Sequence, residues 1–167
     1  FGRLDILVNN VGVRHDGLFV RTTDTDLHRV FDINFNAPAS LTREAISQMM
    51  RQRPTGGKIV FIGSLAAEGS PGQAIYSAAK SALVGLVKAL AREYESRNIR
   101  FNVVSPGLVN TDMVADLNPK QIEALLKLTG MERALRSEEV ALPVLRLLSD
   151  TSKETGKVFN ITGGSNG

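Results

Sequence analysis

Four short apolar runs, at residues 4–8, 59–62, 101–104 and, more weakly, 158–161, are separated by long stretches with helical spacing. That alternation leaves few ways to fold. A short run that is apolar almost throughout, without regular polar alternation, reads as covered on both faces, which is how strands sit in a parallel sheet. Parallel neighbours need a crossover long enough to hold a helix, and residues 25–51, 77–97 and 137–149 supply one each. A shorter helix is expected over Pro119–Thr129, with Asn118 placed to cap it and Pro119 suited to its first turn. The architecture read from this pattern is α/β, a doubly wound parallel sheet. No repeat, low-complexity tract or linker divides the chain, so residues 1–167 are expected to form one domain.

The stretch after Ser77 carries Leu83, Val84, Leu86, Val87 and Leu90 round most of a helical circumference. A helix apolar on nearly every side is covered twice. The sheet provides one cover; the other is either a helix of a second subunit or another helix of the same chain.

Composition narrows the function classes. With no run of about 18 apolar residues, a membrane span is not expected. Residues 1–10 contain Asp5 and lack a basic segment ahead of the apolar stretch, so they read as a strand and not as a signal peptide. The chain has no cysteine, which excludes disulfides and thiolate metal sites, and its two histidines, His15 and His28, are too few for a histidine metal centre. No metal is expected. The net charge of +3 is mild and spread along the chain, and aromatics make up only 5%, so nothing marks a nucleic-acid surface. One basic stretch stands out, Arg51, Arg53 and Lys58. It reads either as a solvated helix end or as a docking patch for an acidic partner.

The chemistry concentrates elsewhere. Ser64 follows the apolar run at 59–62, and Tyr76 precedes Lys80 by four residues at the start of a helical stretch. Four residues is one helical turn, so the lysine ammonium lies on the tyrosine's face. A cation there is expected to lower the phenol's pKa from about 10 and make it a usable proton donor. Ser64 can offer its hydroxyl to the same substrate oxygen. The set suits a carbonyl being reduced to an alcohol.

Several further signals sit at element boundaries in a fixed order. Asn9-Asn10-Val11-Gly12 follows the first strand, Asn34 lies in a helix, and Gly63-Ser64 ends the second strand. Tyr76-Ser77-Ala78-Ala79-Lys80 opens the next helix; Pro106-Gly107 and Thr111 follow the third strand; Gly156 and Gly163-Gly164 bracket the last. Together these resemble the short-chain dehydrogenase/reductase family over essentially the whole chain. Residues 13–18, the Gly-Gln-Ala before Tyr76, and the segment from Asn102 through Met113 are most similar to 3-oxoacyl-[acyl-carrier-protein] reductases.

The resemblance implies a Rossmann-like fold and roles for named residues. Tyr76 would protonate the carbonyl oxygen, Ser64 would hold it, and Lys80 would tune Tyr76 and bind the nicotinamide ribose. Asn34 would hold a water that relays protons to Lys80. Asn9 and Gly12 would line the adenosine side of the cofactor, and Pro106, Gly107, Val109 and Thr111 its nicotinamide side, with residues 112–130 as the substrate lid. The cofactor implied is NADP(H), with NAD(H) open, and the substrate a 3-oxoacyl thioester. Acyl carrier protein would be the acidic partner at Arg51, Arg53 and Lys58. A cytoplasmic homodimer or homotetramer is implied as well. Sugars, polyols or other alcohols remain alternative substrates.

A dinucleotide fold also needs a glycine-rich turn, whose N–H groups receive pyrophosphate, ahead of these elements. Residue 1 falls where the family's fourth strand is about to begin. The chain is therefore expected to be the carboxy-terminal portion of a longer reductase, a partial Rossmann-type domain that binds dinucleotide poorly and is inactive alone. Its first strand should then present an apolar edge. A complete, non-catalytic dimerising module is the competing expectation.

Overall fold

The computed structural model of the chain describes residues 2–163. Gly164, the second of the closing glycine pair, lies outside the described residues.

Four parallel strands, β1 (Ile6–Asn9), β2 (Gly57–Ile62), β3 (Ile99–Pro106) and β4 (Lys157–Ile161), form one sheet in the order of the chain. Register aligns Asn9 with Phe61, Phe61 with Val103, and Pro106 with Ile161. The carboxyl ends of all four strands therefore lie along one edge. Alternate residues face opposite sides of such a sheet. Ile59, Phe61, Phe101 and Val103 pack on one face, against Ala45, Ile46, Met49, Leu83 and Val87. Val60 and Val104 pack on the other, against Val144 and Leu147.

Those partners come from α2 (Ala37–Arg51) and α3 (Ala74–Glu93) on the first face and α5 (Ser137–Leu148) on the second. Because strand order follows chain order, the crossover through α5 runs on the opposite hand from the two before it. That departs from the usual uniform hand. Residues of α5 on that face, Val140 and Val144 among them, line a cleft at the strand ends.

β2 and β3 are buried on both faces; the apolar run of β2 requires this, and in β3 the polar Asn102 and Ser105 are buried along with Phe101, Val103 and Val104. The edge strands are not: Ile6 is 45% and Val8 39% exposed on β1, and Val158 is 37% exposed on β4. Within the described sheet β1 is the apolar edge that the sequence led one to expect.

Two helical readings change. The stretch expected as one helix from residue 25 begins as α1 (Asp24–Phe31), capped by Thr23 and Asp26 in a reciprocal box, and then widens into a π turn over Asp32–Asn36 before α2. The cause is Asn34. Its Nδ2 donates to the Val30 carbonyl at 2.8 Å, the acceptor that its own backbone N–H would use in an α-helix. The helix after Gly72 starts at Ala74 and stops at Glu93, and a short 3₁₀ turn, Glu95–Arg97, follows.

α3 is also long and apolar enough to cross a membrane by length and composition, although no 18-residue apolar run exists. Leu83, Val87 and Ala91 are fully or nearly buried against the sheet, and Lys80 lies within its first half. That face packs on the core, whereas Val84, Leu86 and Leu90 elsewhere on the helix are only half-buried. α4 (Pro119–Thr129) forms over the expected residues, with Asn118 and Gln121 closing a capping box.

Candidate active site

The carboxyl ends of β1, β2 and β3, together with the start of α3, enclose a cleft of about 990 Å³. Such an edge of a parallel sheet is where α/β proteins bind ligands, because the strand ends supply loops and the helices their N-termini. Ser64 sits one residue past Gly63 in extended backbone, and its Oγ accepts the Ala66 N–H at 3.1 Å. Gly63 has to be glycine. A Cβ there would stand 2.6 Å from Ser105 Oγ and 2.7 Å from Val103 Cγ1, both on the buried β3. Gly63→Ala is therefore expected to cost about 1–3 kcal/mol by prising β2 from β3. Urea denaturation checks this, and unaltered stability would mean the strand ends have room.

α3 then presents Tyr76 and Lys80 to the same cleft, one turn apart. Lys80 is 3% exposed, and its Nζ donates to the Ile62 carbonyl at 2.9 Å. Burial lowers its pKa to about 8. The ammonium lies 5.8 Å from the centroid of the Tyr76 ring. The expectation of a lowered phenol pKa is corrected here. Burial drives the Tyr76 pKa above its ordinary value, and the adjacent Ser64 hydroxyl only partly offsets that. Asp16 pushes the same way as burial, and Arg14 opposes it. Desolvation disfavours the phenolate, and a lysine turned toward a strand carbonyl does not outweigh it.

Gly12, Pro106, Gly107, Val109 and Thr111 all line the cleft. Asn9 and Asn34 do not reach its wall. Asn9 is buried, and its Nδ2 donates to Thr42 Oγ1 at 3.0 Å, tying β1 to α2. Its neighbour Asn10 lines the cleft instead. Successive residues at a strand end point to opposite sides, and that alternation was the available signal. Asn34 is fully buried: its Oδ1 accepts the Val13 N–H at 3.2 Å, and its Nδ2 donates to the Val13 carbonyl at 2.8 Å. It thus holds the loop after β1. A Cβ on Gly12 would lie 2.9 Å from Asn34 Oδ1 and 3.3 Å from Lys80 Nζ, so both groups converge behind that glycine.

Sequence reasoning assigned no role to Arg14. Its guanidinium lines the cleft and pairs with Asp16 at 2.7 Å and with Asp116 at 2.7 Å. The second partner is 102 residues away, beyond any local signal. Among the described residues no cluster of His, Asp and Glu is placed to hold a metal ion.

The basic stretch lies at the other end of β2. Arg51 closes α2 and Arg53 is exposed beside it, while Lys58 Nζ donates to the Ser149 carbonyl after α5. The length of β2 separates this end from Ser64, roughly 20 Å at the rise of an extended strand.

A family model described as Enoyl-(Acyl carrier protein) reductase matches residues 1–166. The chain is 42% identical to Nodulation protein G of Rhizobium sp. (strain N33) over 163 residues, 96% of this chain and 66% of that protein. It is 42% identical to the 3-oxoacyl-[acyl-carrier-protein] reductase FabG of Rickettsia felis, over 97% of this chain and 67% of that protein. The FabG of Thermotoga maritima is 39% identical over 98% of this chain and 67% of its own length. The chain thus spans about two thirds of the length of these curated relatives.

Proposed function

The chain belongs to the short-chain dehydrogenase/reductase family, and on that premise we propose that it carries the proton-donating half of a ketone reductase acting on 3-oxoacyl thioesters with NADPH. The observation that carries this reading is the convergence of Ser64, Tyr76 and Lys80 on one cleft at the strand ends. Two relatives at about 40% identity, named for reduction of 3-oxoacyl groups on acyl carrier protein, support the substrate class.

The residues present fit the ribose and nicotinamide part of the cofactor. Lys80 spends one donor on Ile62, which leaves ammonium N–H groups for ribose hydroxyls. Gly12 and Gly107 present backbone without side chains along the cleft wall. The nicotinamide, when bound, supplies a hydride to the carbonyl carbon. Tyr76 gives its phenolic proton to the carbonyl oxygen; with the hydride on carbon the ketone has gained two electrons and two protons and leaves as a secondary alcohol. Ser64 hydrogen-bonds the same oxygen and fixes it toward the phenol. Burial keeps Tyr76 protonated at neutral pH, and Lys80, charged below about pH 8, stabilises the phenolate that forms only after transfer. Asn34 acts by holding the loop of Gly12 against Lys80.

The test is turnover by the complete gene product, with NADPH and a 3-oxoacyl thioester presented on acyl carrier protein and, separately, as a small-molecule thioester. Both should be reduced. Turnover of sugars or polyols with neither thioester consumed would move the assignment to another substrate class. Reversing the charges of Arg51 and Arg53 should slow only the carrier-bound substrate if that patch docks the carrier. Equal rates on both substrates would remove the patch from the reading.

A further inference from the structure

Four side chains from three separate segments meet across the mouth of the cleft. Gln73, at the start of α3, donates from Nε2 to Asp16 Oδ1 at 2.7 Å. Asp16 Oδ2 takes Arg14 Nε at 2.7 Å, and Arg14 Nη2 reaches Asp116 Oδ1 at 2.7 Å. The backbone reinforces the first junction, since the Gly17 N–H donates to the Gly72 carbonyl at 2.8 Å. The last junction has no such support. Asp116 lies between a short 3₁₀ turn, Asp112–Val114, and α4, and its side chain is 78% exposed. The Arg14 side chain is only 14% exposed.

We propose that Arg14 is a positioning residue that latches residues 112–130 over the cleft, with Asp16 and Gln73 fixing the guanidinium in register with the turn that carries Tyr76. The two ends differ in strength for a physical reason. A guanidinium held by Asp16 has already lost most of its freedom, so docking Asp116 onto it costs order only on the lid side. The lid's own packing, Val114, Ile122, Leu125 and Leu126 against Leu108, Met131 and Leu135, sets where the segment rests. Arg14 decides how firmly that segment closes at the mouth, which Met113 and Leu128 also line. Breaking that contact loosens the segment at the mouth and leaves its apolar packing and the sheet core in place.

The latch itself does not depend on the reductase reading, whereas its effect on turnover rests on it. Hydrogen exchange in the complete gene product tests the first. Asp116→Asn should speed exchange of amides in residues 112–130 by about threefold to fivefold, as for one partly buried ion pair, and leave exchange in β2 and β3 unchanged. Arg14→Gln should do the same, and the double variant should exchange no faster than either single one. Exchange at the parent rate in Asp116→Asn, or additive acceleration in the double variant, would overturn the proposal. With thioester and NADPH, Asp116→Asn should raise KM about threefold to tenfold with little change in kcat. An unchanged KM with faster lid exchange would overturn the effect on substrate while upholding the latch. A parent that reduces no ketone, with exchange behaving as described, upholds the latch and defeats the reductase reading.

Discussion

Tyr76→Phe is expected to lower ketone turnover by about 10²–10⁴-fold, the range a positioned acid contributes. The substitution deletes one oxygen. The ring stays packed beside Val30, Ile75 and Ala79, so folding should be undisturbed. Lys80 keeps its hydrogen bond to Ile62, so dinucleotide affinity should change little. The pattern to look for in steady-state kinetics is therefore a fall in kcat with a nearly constant cofactor KM. Turnover close to the parent rate would mean that the proton comes from another group. Burial strengthens this expectation: a phenol held above its ordinary pKa is fully protonated at neutral pH, and the cleft holds it beside Ser64.

Lys80→Met is expected to lower both turnover and dinucleotide affinity, the latter by about tenfold to a hundredfold for a charge-assisted hydrogen bond. A second readout needs no substrate. In the unfolded chain a lysine keeps its proton up to a pH of about 10.4. Folded Lys80 loses its proton near pH 8, because burial penalises the ammonium. Between these values the unfolded state binds more protons, so stability rises with pH across that window. Below about pH 8 both states are protonated and this contribution is flat. Relative to Lys80→Met, the parent should therefore gain up to about 3 kcal/mol as pH rises from 8 to 10.5, read from urea unfolding at each pH. A constant difference between the two proteins would mean that Lys80 is not desolvated, and the account of its tuning would fail with it.

Much of the site's location was written in local spacing. Apolar runs with no polar alternation specify strands covered twice, and the residues just past them, Asn10, Gly63, Ser64 and Pro106, reach one edge because the strands are parallel. The four-residue gap puts Tyr76 and Lys80 on one helical face whatever else the chain does. The cap at Asn118 and the proline after it fix the start of α4 in the same local way.

What no local pattern contains is the environment each group meets. The Tyr76–Lys80 spacing suggested a lowered phenol pKa, but the sign depends on how much water the fold removes and on which acceptor the ammonium finds. Here burial dominates, and Lys80 turns to Ile62. Asn9 and Asn34 read as cofactor and relay residues from the resemblance, and no local pattern shows that the Asn9 amide bonds Thr42 or that the Asn34 amide bonds the Val30 carbonyl of its own helix. The pairing of Arg14 with Asp116 joins residues 102 positions apart that only the tertiary fold brings together. The sequence by itself determined the element order, the parallel sheet and the identity of the residues at its carboxyl edge, because period and spacing act over a few residues. The tertiary structure alone decided protonation and side-chain partners. Desolvation and long-range pairing have no value until the chain is packed.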